Sequence, residues 1–389
     1  MRPAGRARQA GGGNPRRRGL FLATYGLALL TACGGDTPTE TTPDILVTDA
    51  MFLGADVSAL ERIEQAGGVF RDGGAAGDAI AILRAKGVNG FRLRLFVDPD
   101  HSEVQVNDLD YTVRMATRIK AAGARLMLDI HYSDTWADPS HQTVPAAWAA
   151  LGIDSLERRV ETYTAEVMTR LSQAGALPDI VQVGNEVDAG FLWPLGQLEY
   201  DADSLASWER FTRLLKAGIR GARGAVGAGD SVKVLIHYSR GADGGGTRWF
   251  FDHIASAGVD YDLIGLSYYP WWHGTLFGLE TNVAAAAERY GRGVMVVETT
   301  YPWRASGWES WVTTAAWMAW PVSPTGQARF LREVLDAVAK VPAGRGSGVV
   351  WWYPEAIAVS GLFVWGGGSL ALFDAGGNVL PAAAEFGAR

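Results

Sequence analysis

Short apolar runs recur eight times along the chain, at Met51 to Asp56, Gly90 to Leu95, Arg125 to His131, Ile180 to Asn185, Val232 to His237, Leu263 to Ser267, Val294 to Glu298 and Gly348 to Trp352. They are mostly continuous instead of alternating, the pattern of strands buried on both faces of a parallel sheet. Helix-length segments lie between them. In Asp78 to Gly87, Ile80 and Leu83 share one face and Gly87 stops the helix. Asp110 to Gly123, Ser155 to Gly175, Ser204 to Gly221 and Gly326 to Lys340 repeat the theme. Alternating strand and helix predicts a parallel sheet with right-handed crossovers, and eight units predict closure into a single α/β domain, a (β/α)8 TIM barrel. A doubly wound open sheet would need a nucleotide-binding glycine loop after its first strand. Gly54-Ala55-Asp56-Val57-Ser58 is not one. Neither an internal repeat nor a linker divides residues 50–389.

The N-terminus does not belong to that pattern. Arg16-Arg17-Arg18 precedes an apolar run from Gly19 to Ala32, which reads as an export signal over residues 1–32. Leu30-Thr31-Ala32-Cys33 resembles the bacterial lipobox, so Cys33, the single cysteine of the chain, is expected to become a lipidated N-terminus. Residues 33–49 then form a tether, because Gly34 to Pro43 offers no apolar side chain to bury. Gly34 and Gly35 carry no recognised retention signal for the inner membrane, so the expected location is the outer membrane or cell surface of a bacterium. Processing would remove six arginines and no acid, leaving 29 basic and 42 acidic residues, a formal charge of −13. That balance argues against nucleic acid and favours a neutral ligand.

Two of the apolar runs end in a glutamate, Glu186 and Glu298. The carboxyl ends of barrel strands are where catalytic groups sit, and two carboxyls there are the minimum for cleaving a glycosidic bond. Other polar and aromatic residues fall on the same expected rim: Arg92 and Arg94, His131 to Pro139, Asn185, Trp193, His237, Tyr268 to His273, Trp303, and Trp351-Trp352. Arginine near a carboxylate holds it ionised. Tryptophan, of which there are fifteen, offers a flat apolar face to a sugar ring.

Several of these segments are long enough to carry a specific likeness. His131 to Pro139, Gly184-Asn185-Glu186 with Leu192 to Gly196, Ser267 to Gly274, and Val297-Glu298-Thr299 resemble the endo-β-1,4-galactanases of glycoside hydrolase family 53. Gly54 to Ser58 and Gly366 to Pro381 are similar to that family's beginning and end, so the likeness spans residues 50–381. It implies a clan A barrel and retaining hydrolysis of β-1,4-galactan in type I arabinogalactan and pectin. Glu186 would be the acid/base and Glu298 the nucleophile. The substrate-binding or supporting residues would be Arg92, His131, Asp134, Trp136, Asp138, Asn185, His237, Tyr268, Tyr269 and Trp352. Strand parity alone does not choose between the two tyrosines.

Two departures from that family stand out. Its bacterial members often place an acidic calcium loop after the seventh strand. Here Tyr301 to Trp311 offers Glu309 as its one carboxylate, too few oxygens for the ion. No metal and no other cofactor is expected. After Trp352 the chain has Tyr353 where an acid is usual, with Glu355 two positions on. Other readings compete. His131, His237, Asp56 and Asp134 could be metal ligands of a barrel hydrolase, but the first strand lacks the usual pair of histidines. A cell-surface sugar-binding lipoprotein would use the tether and the tryptophans, yet it needs no paired acids. A clan A glycosidase acting on mannan or glucan is the nearest rival. The expected protein is a monomer whose partner is β-1,4-galactan and which meets the membrane only through its anchor.

Overall fold

The computed structural model describes residues 51–199, 204–227, 229–306 and 318–388. The signal, Cys33 and the tether lie outside the described residues, as do Trp308, Glu309 and Trp311 of the segment weighed as a calcium loop. Eight parallel strands close a barrel: β1 Phe52–Asp56, β2 Gly90–Leu95, β3 Arg125–Ile130, β4 Ile180–Val183, β5 Lys233–Tyr238, β6 Leu263–Tyr268, β7 Gly293–Thr299 and β8 Gly346–Trp351, with β1 pairing both β2 and β8. These are the eight runs anticipated above.

The helices among the described residues are α1 Leu60–Gln65, α2 Ala79–Ala85, α3 Leu109–Ala121, α4 Ile153–Gln173, α5 Leu205–Gly224, α6 Gly244–Ser256, α7 Pro270–His273, α8 Leu276–Tyr290 and α9 Pro324–Ala339. Side chains of Asp78, Asp108, Ser204, Asp243, Thr275 and Ser323 cap α2, α3, α5, α6, α8 and α9 by accepting a first-turn N–H. Helices α6 and α8 carry weak sequence signals. One opens on three glycines and the other contains four consecutive alanines. A hairpin, Phe70–Asp72 with Ala75–Gly77, follows α1 and has no counterpart among the expected elements.

Strand parity divides the side chains into two layers. Phe91, Leu93 and Leu95 of β2, Leu126, Leu128 and Ile130 of β3, and Ile264, Leu266 and Tyr268 of β6 point outward into the large core beneath the helices. The alternate positions point into the barrel. At its amino-terminal end Phe52, Met127, Ile180, Leu235, Leu263, Met295, Val297 and Val350 form a separate apolar plug. Gly90 makes room for the Phe52 ring, since a Cβ there would stand 2.4 Å from it. Towards the carboxyl end the same inward rows become polar, with Asp56, Arg92, Asp129, Gln182, His237 and Ser267, all essentially buried. The apolar plug thus supports a buried polar layer, and that layer supports the site.

Candidate active site

Arg92 is the centre of the polar layer. Its Nη1 donates to Asp56 Oδ2 at 2.9 Å, and its Nη2 to Asp129 Oδ2 at 2.8 Å, Asn185 Oδ1 at 3.0 Å and Glu298 Oε1 at 2.7 Å. Burial opposes the charge on the guanidinium, but Asp129, Glu298 and Asp56 together outweigh it and the group stays protonated. Burial likewise works against the Asp129 carboxylate, and Arg92 and His131 prevail, so Asp129 lies below its ordinary pKa. Gln182 Oε1 also lies 3.3 Å from Nη2, and a planar fork among five partners fixes their relative positions more tightly than a single ammonium could.

Glu298 reaches the barrel interior through an irregularity. Met295 and Val297 already face inward, so simple alternation would send Glu298 to the outside. The β6–β7 ladder slips here: Leu266 pairs with Val296, but Ser267 pairs with Glu298, an extra residue on β7. A bulge of this kind re-aims a side chain. Both carboxyl oxygens are then held, Oε1 by Arg92 and Oε2 by the Tyr269 hydroxyl at 3.0 Å.

Glu186 stands beyond the end of β4, in the left-handed region at φ 45°. Gly184 before it is also left-handed at φ 81°, and a Cβ there would lie 2.6 Å from Val187. Gln142 secures the turn from the β3 loop, donating its amide to Asn185 O at 2.7 Å and Glu186 O at 3.2 Å. Such a conformation at a non-glycine residue costs of order 1–3 kcal/mol and persists where the surroundings over-determine it. The carboxyl has one strong side-chain partner, the Ser267 hydroxyl, 2.6 Å from Oε1.

These two carboxyls have unlike environments. Burial pushes the Glu186 pKa well above the carboxylate range, and the nearby charge of Glu298 adds to the effect. Burial raises Glu298 as well, but Arg92 works against it and the Tyr269 hydroxyl helps. The pair titrates as a unit. With a cation and a phenol on one member and a neutral serine on the other, Glu298 ionises first and Glu186 keeps the proton. Such a division is what a nucleophile and an acid would require of two neighbouring carboxyls.

Both carboxyls open into a cleft of about 720 Å³. Arg92, His131, Trp136, Asp138, Asn185, Tyr269 and Trp352 line it too. Trp136 is stacked over the Arg94 guanidinium, 4.1 Å from ring to carbon. Trp352, also in the cleft lining, lies flat on Tyr353, 4.2 Å between centroids, and meets Trp365 edge-on at 5.0 Å. Exposed Trp272 stacks on Trp365 at 5.9 Å. His131 accepts the Ala137 N–H at Nδ1 and bonds Asp129 through Nε2, so it orients the β3 loop. Asp138 is engaged with His141 at the rim.

Three expected substrate contacts are placed elsewhere. Tyr268 points outward, stacks on Phe330 and donates to Gly274 O, because position 268 falls on the outer row and 269 on the inner one. Asp134 accepts the N–H groups of Asp98 at 3.1 Å and Ala146 at 2.8 Å, tying loops together outside the cleft. His237 is wholly buried below the floor, between Asn185 and Ser267. Trp193 and Trp303 spend their indole N–H groups on the backbone carbonyls of Ala189 and Gly368. The four residues weighed as metal ligands do not converge, and among the described residues no group of three or more His, Cys, Asp or Glu could hold a metal ion.

Gln182 and Gln142 also contribute, though each is a single polar residue inside an apolar run or a loop and carries no periodic signal. Ser267, which ends its apolar run, gives no sign in the sequence of its bond to Glu186. His273, on the expected rim, lines the cleft and accepts the Tyr269 N–H, and burial lowers its pKa to about 4.

Comparison with known proteins gives a consistent picture. The family described as Glycosyl hydrolase family 53 matches residues 52–386. The chain is 42% identical over 352 residues to an uncharacterised protein in the bgaB 5′ region of Niallia circulans, covering 86% of this chain and 93% of that protein. It is 37% identical over 326 residues to the probable arabinogalactan endo-β-1,4-galactanase A of Aspergillus terreus, covering 82% and 89% of the two chains. Among solved structures, the GH53 catalytic domain of Ignisphaera aggregans superposes with a TM-score of 0.79 at 32% identity, over 86% of this chain and 95% of that one.

Proposed function

The chain belongs to glycosyl hydrolase family 53, and from that membership we propose that it is a retaining, endo-acting hydrolase of β-1,4-galactosidic bonds in type I arabinogalactan and pectic galactan. The observation that carries the mechanism is the pair of buried carboxyls facing one cleft with opposed environments, Glu298 bound by Arg92 and Tyr269, Glu186 bound by Ser267.

In this reading Glu298 attacks the anomeric carbon while Glu186 protonates the departing glycosidic oxygen. Glu186, now a carboxylate, takes a proton from water as that water displaces Glu298 from the sugar. Retention requires the carboxyls about 5–5.5 Å apart, so that no water fits between nucleophile and sugar in the first step. Asn185 gives one amide hydrogen to Ala137 O at 2.8 Å and has a second for the 2-hydroxyl of the sugar, a bond that strengthens as the transition state forms. Trp352 supplies a flat face beneath the ring being cleaved, and Trp136 walls the chain on the other side. A lipid on Cys33 would hold the enzyme at the cell surface, where polymeric galactan is met.

The test combines substrate and variants. Purified galactan, mannan and glucan are digested, with reducing ends measured and the anomer of the product followed by NMR. Galactan should be cleaved internally with the β-anomer released first. Glu298→Ala and Glu186→Ala should each abolish this. With an activated aryl galactoside Glu186→Ala should still form the glycosyl-enzyme and be rescued by azide to a β-product. Cleavage of mannan or glucan in preference to galactan, or identical behaviour of the two variants, would overturn the reading.

A further inference from the structure

Beneath the acid/base lies a line of buried side chains that the mechanism above does not use. Ser267 Oγ is 2.6 Å from Glu186 Oε1 and 2.8 Å from His237 Nε2. His237 Nδ1 is approached by two donors, the Gln182 amide nitrogen at 3.1 Å and the Glu186 backbone N–H at 3.3 Å, and by one acceptor, Asn185 Oδ1 at 3.0 Å, whose lone pairs are already taken by Arg92 Nη2 at 3.0 Å and the Gln182 amide at 2.9 Å. Both Ser267 and His237 are fully buried. Burial and the neighbouring Arg92 push the His237 pKa well below its ordinary value, so the ring is neutral and has one donor and one acceptor nitrogen. With Asn185 Oδ1 already occupied, the two donors make Nδ1 the acceptor, so Nε2 carries the hydrogen and gives it to Ser267. With its oxygen already accepting from the imidazole, the serine turns its own hydrogen to Oε1.

We infer that Ser267, oriented by His237, is a positioning residue that keeps Glu186 Oε1 as an acceptor and confines the catalytic proton to Oε2. This deepens the proposed function and rests on Glu186 being the acid/base. A carboxylic acid has two oxygens on which to carry its proton. Protonation at Oε1 would turn the acid away from the glycosidic oxygen and set two hydrogens against each other at Ser267. The serine removes that option. It also supplies the carboxylate with a donor once the proton has left. The charged or titratable groups facing Glu186 are Glu298 from β7, Asp188 from the β4 loop, Asp138 from the β3 loop and Tyr269 after β6. The three carboxyls disfavour a second negative charge, and Ser267 is the one group among its side-chain partners that favours it.

The experiment compares Ser267→Ala and Ser267→Thr with wild type and with Glu186→Gln, on galactan and on an activated aryl galactoside, after thermal melts confirm folding. Loss of a hydrogen bond to a charged group is worth roughly tenfold to hundredfold. Ser267→Ala should lose that much kcat/KM on galactan, whose leaving group needs the proton. The loss should shrink to about twofold in the pre-steady-state burst with the aryl substrate, whose leaving group does not. Its basic limb of kcat/KM should move up by about one pH unit, because the bond that eases ionisation of Glu186 is gone. Ser267→Thr, which keeps the hydroxyl, should restore both. An unmoved limb with equal losses on both substrates, or the same limb shift in the Ala and Thr variants, would overturn the inference while Glu186→Gln still shows the leaving-group dependence of an acid. If Glu186→Gln lacks that dependence, the fault lies in the proposed function instead.

Discussion

Replacement of Glu355 by glutamine should stabilise the protein near neutral pH, and the size of the effect follows from its surroundings. Glu355 sits just past β8 and is wholly buried. Its Oε1 accepts the Ala59 N–H at 2.8 Å, while Oε2 has no partner. Burial, reinforced by the charge of Asp56, raises its pKa from 4.5 to about 8. The native state therefore binds a proton here that the unfolded chain releases from about pH 4.5 upward. A raised folded pKa contributes stability that is complete below the unfolded value and is lost as pH climbs towards the folded one. From pH 4.5 to 7 is 2.5 units, and at 1.36 kcal/mol per unit the loss is about 3 kcal/mol.

Glutamine keeps the acceptor for Ala59 and never ionises, so Glu355→Gln escapes that loss. The two proteins should melt together near pH 4 and diverge as pH rises, by about 6 °C at pH 7 if each kcal/mol is worth about 2 °C in a chain of this size. Calorimetry or urea melts across pH 4 to 8 would measure it. Parallel curves, or a variant that is less stable throughout, would mean that Glu355 is ionised in the native protein and not protonated as its burial requires.

Tyr269→Phe removes the 3.0 Å bond to Glu298 and should cost about tenfold to hundredfold in kcat, with the acidic limb of the rate profile moving up because the nucleophile becomes harder to ionise. Tyr268→Phe, altering a hydroxyl on the outer row, should leave the rate profile at the wild-type position. Arg92→Lys cannot reproduce the fork that meets Asp56, Asp129, Asn185 and Glu298, so steady-state kinetics should show kcat lowered by about a hundredfold or more with little change in KM. Cys33→Ser should shift the exported protein from the membrane to the soluble fraction or leave unprocessed precursor. Equal fractionation of both forms would refute the anchor.

The architecture was legible in the sequence. Eight buried runs separated by helical segments admit few folds other than a closed parallel barrel, because the chain must bury both faces of every strand. The sequence also located the two carboxyls and most of the rim, since residues that end apolar runs must emerge at the strands' carboxyl ends. What it could not decide was direction and reach. Alternation assigns Glu298 to the outside of the barrel, and the β6–β7 slip between Leu266 and Ser267 turns it inward. The register of β6 selects Tyr269 over Tyr268. Gln142 and Ser267 meet Glu186 from 44 and 81 residues away, and His237 backs Ser267 from beneath. Asp134, two residues from the cleft tryptophan, closes a loop instead. Periodicity is a property of one strand or helix, whereas bulges, register and second partners are set by the neighbouring strand, and they exist only once the ladder has closed.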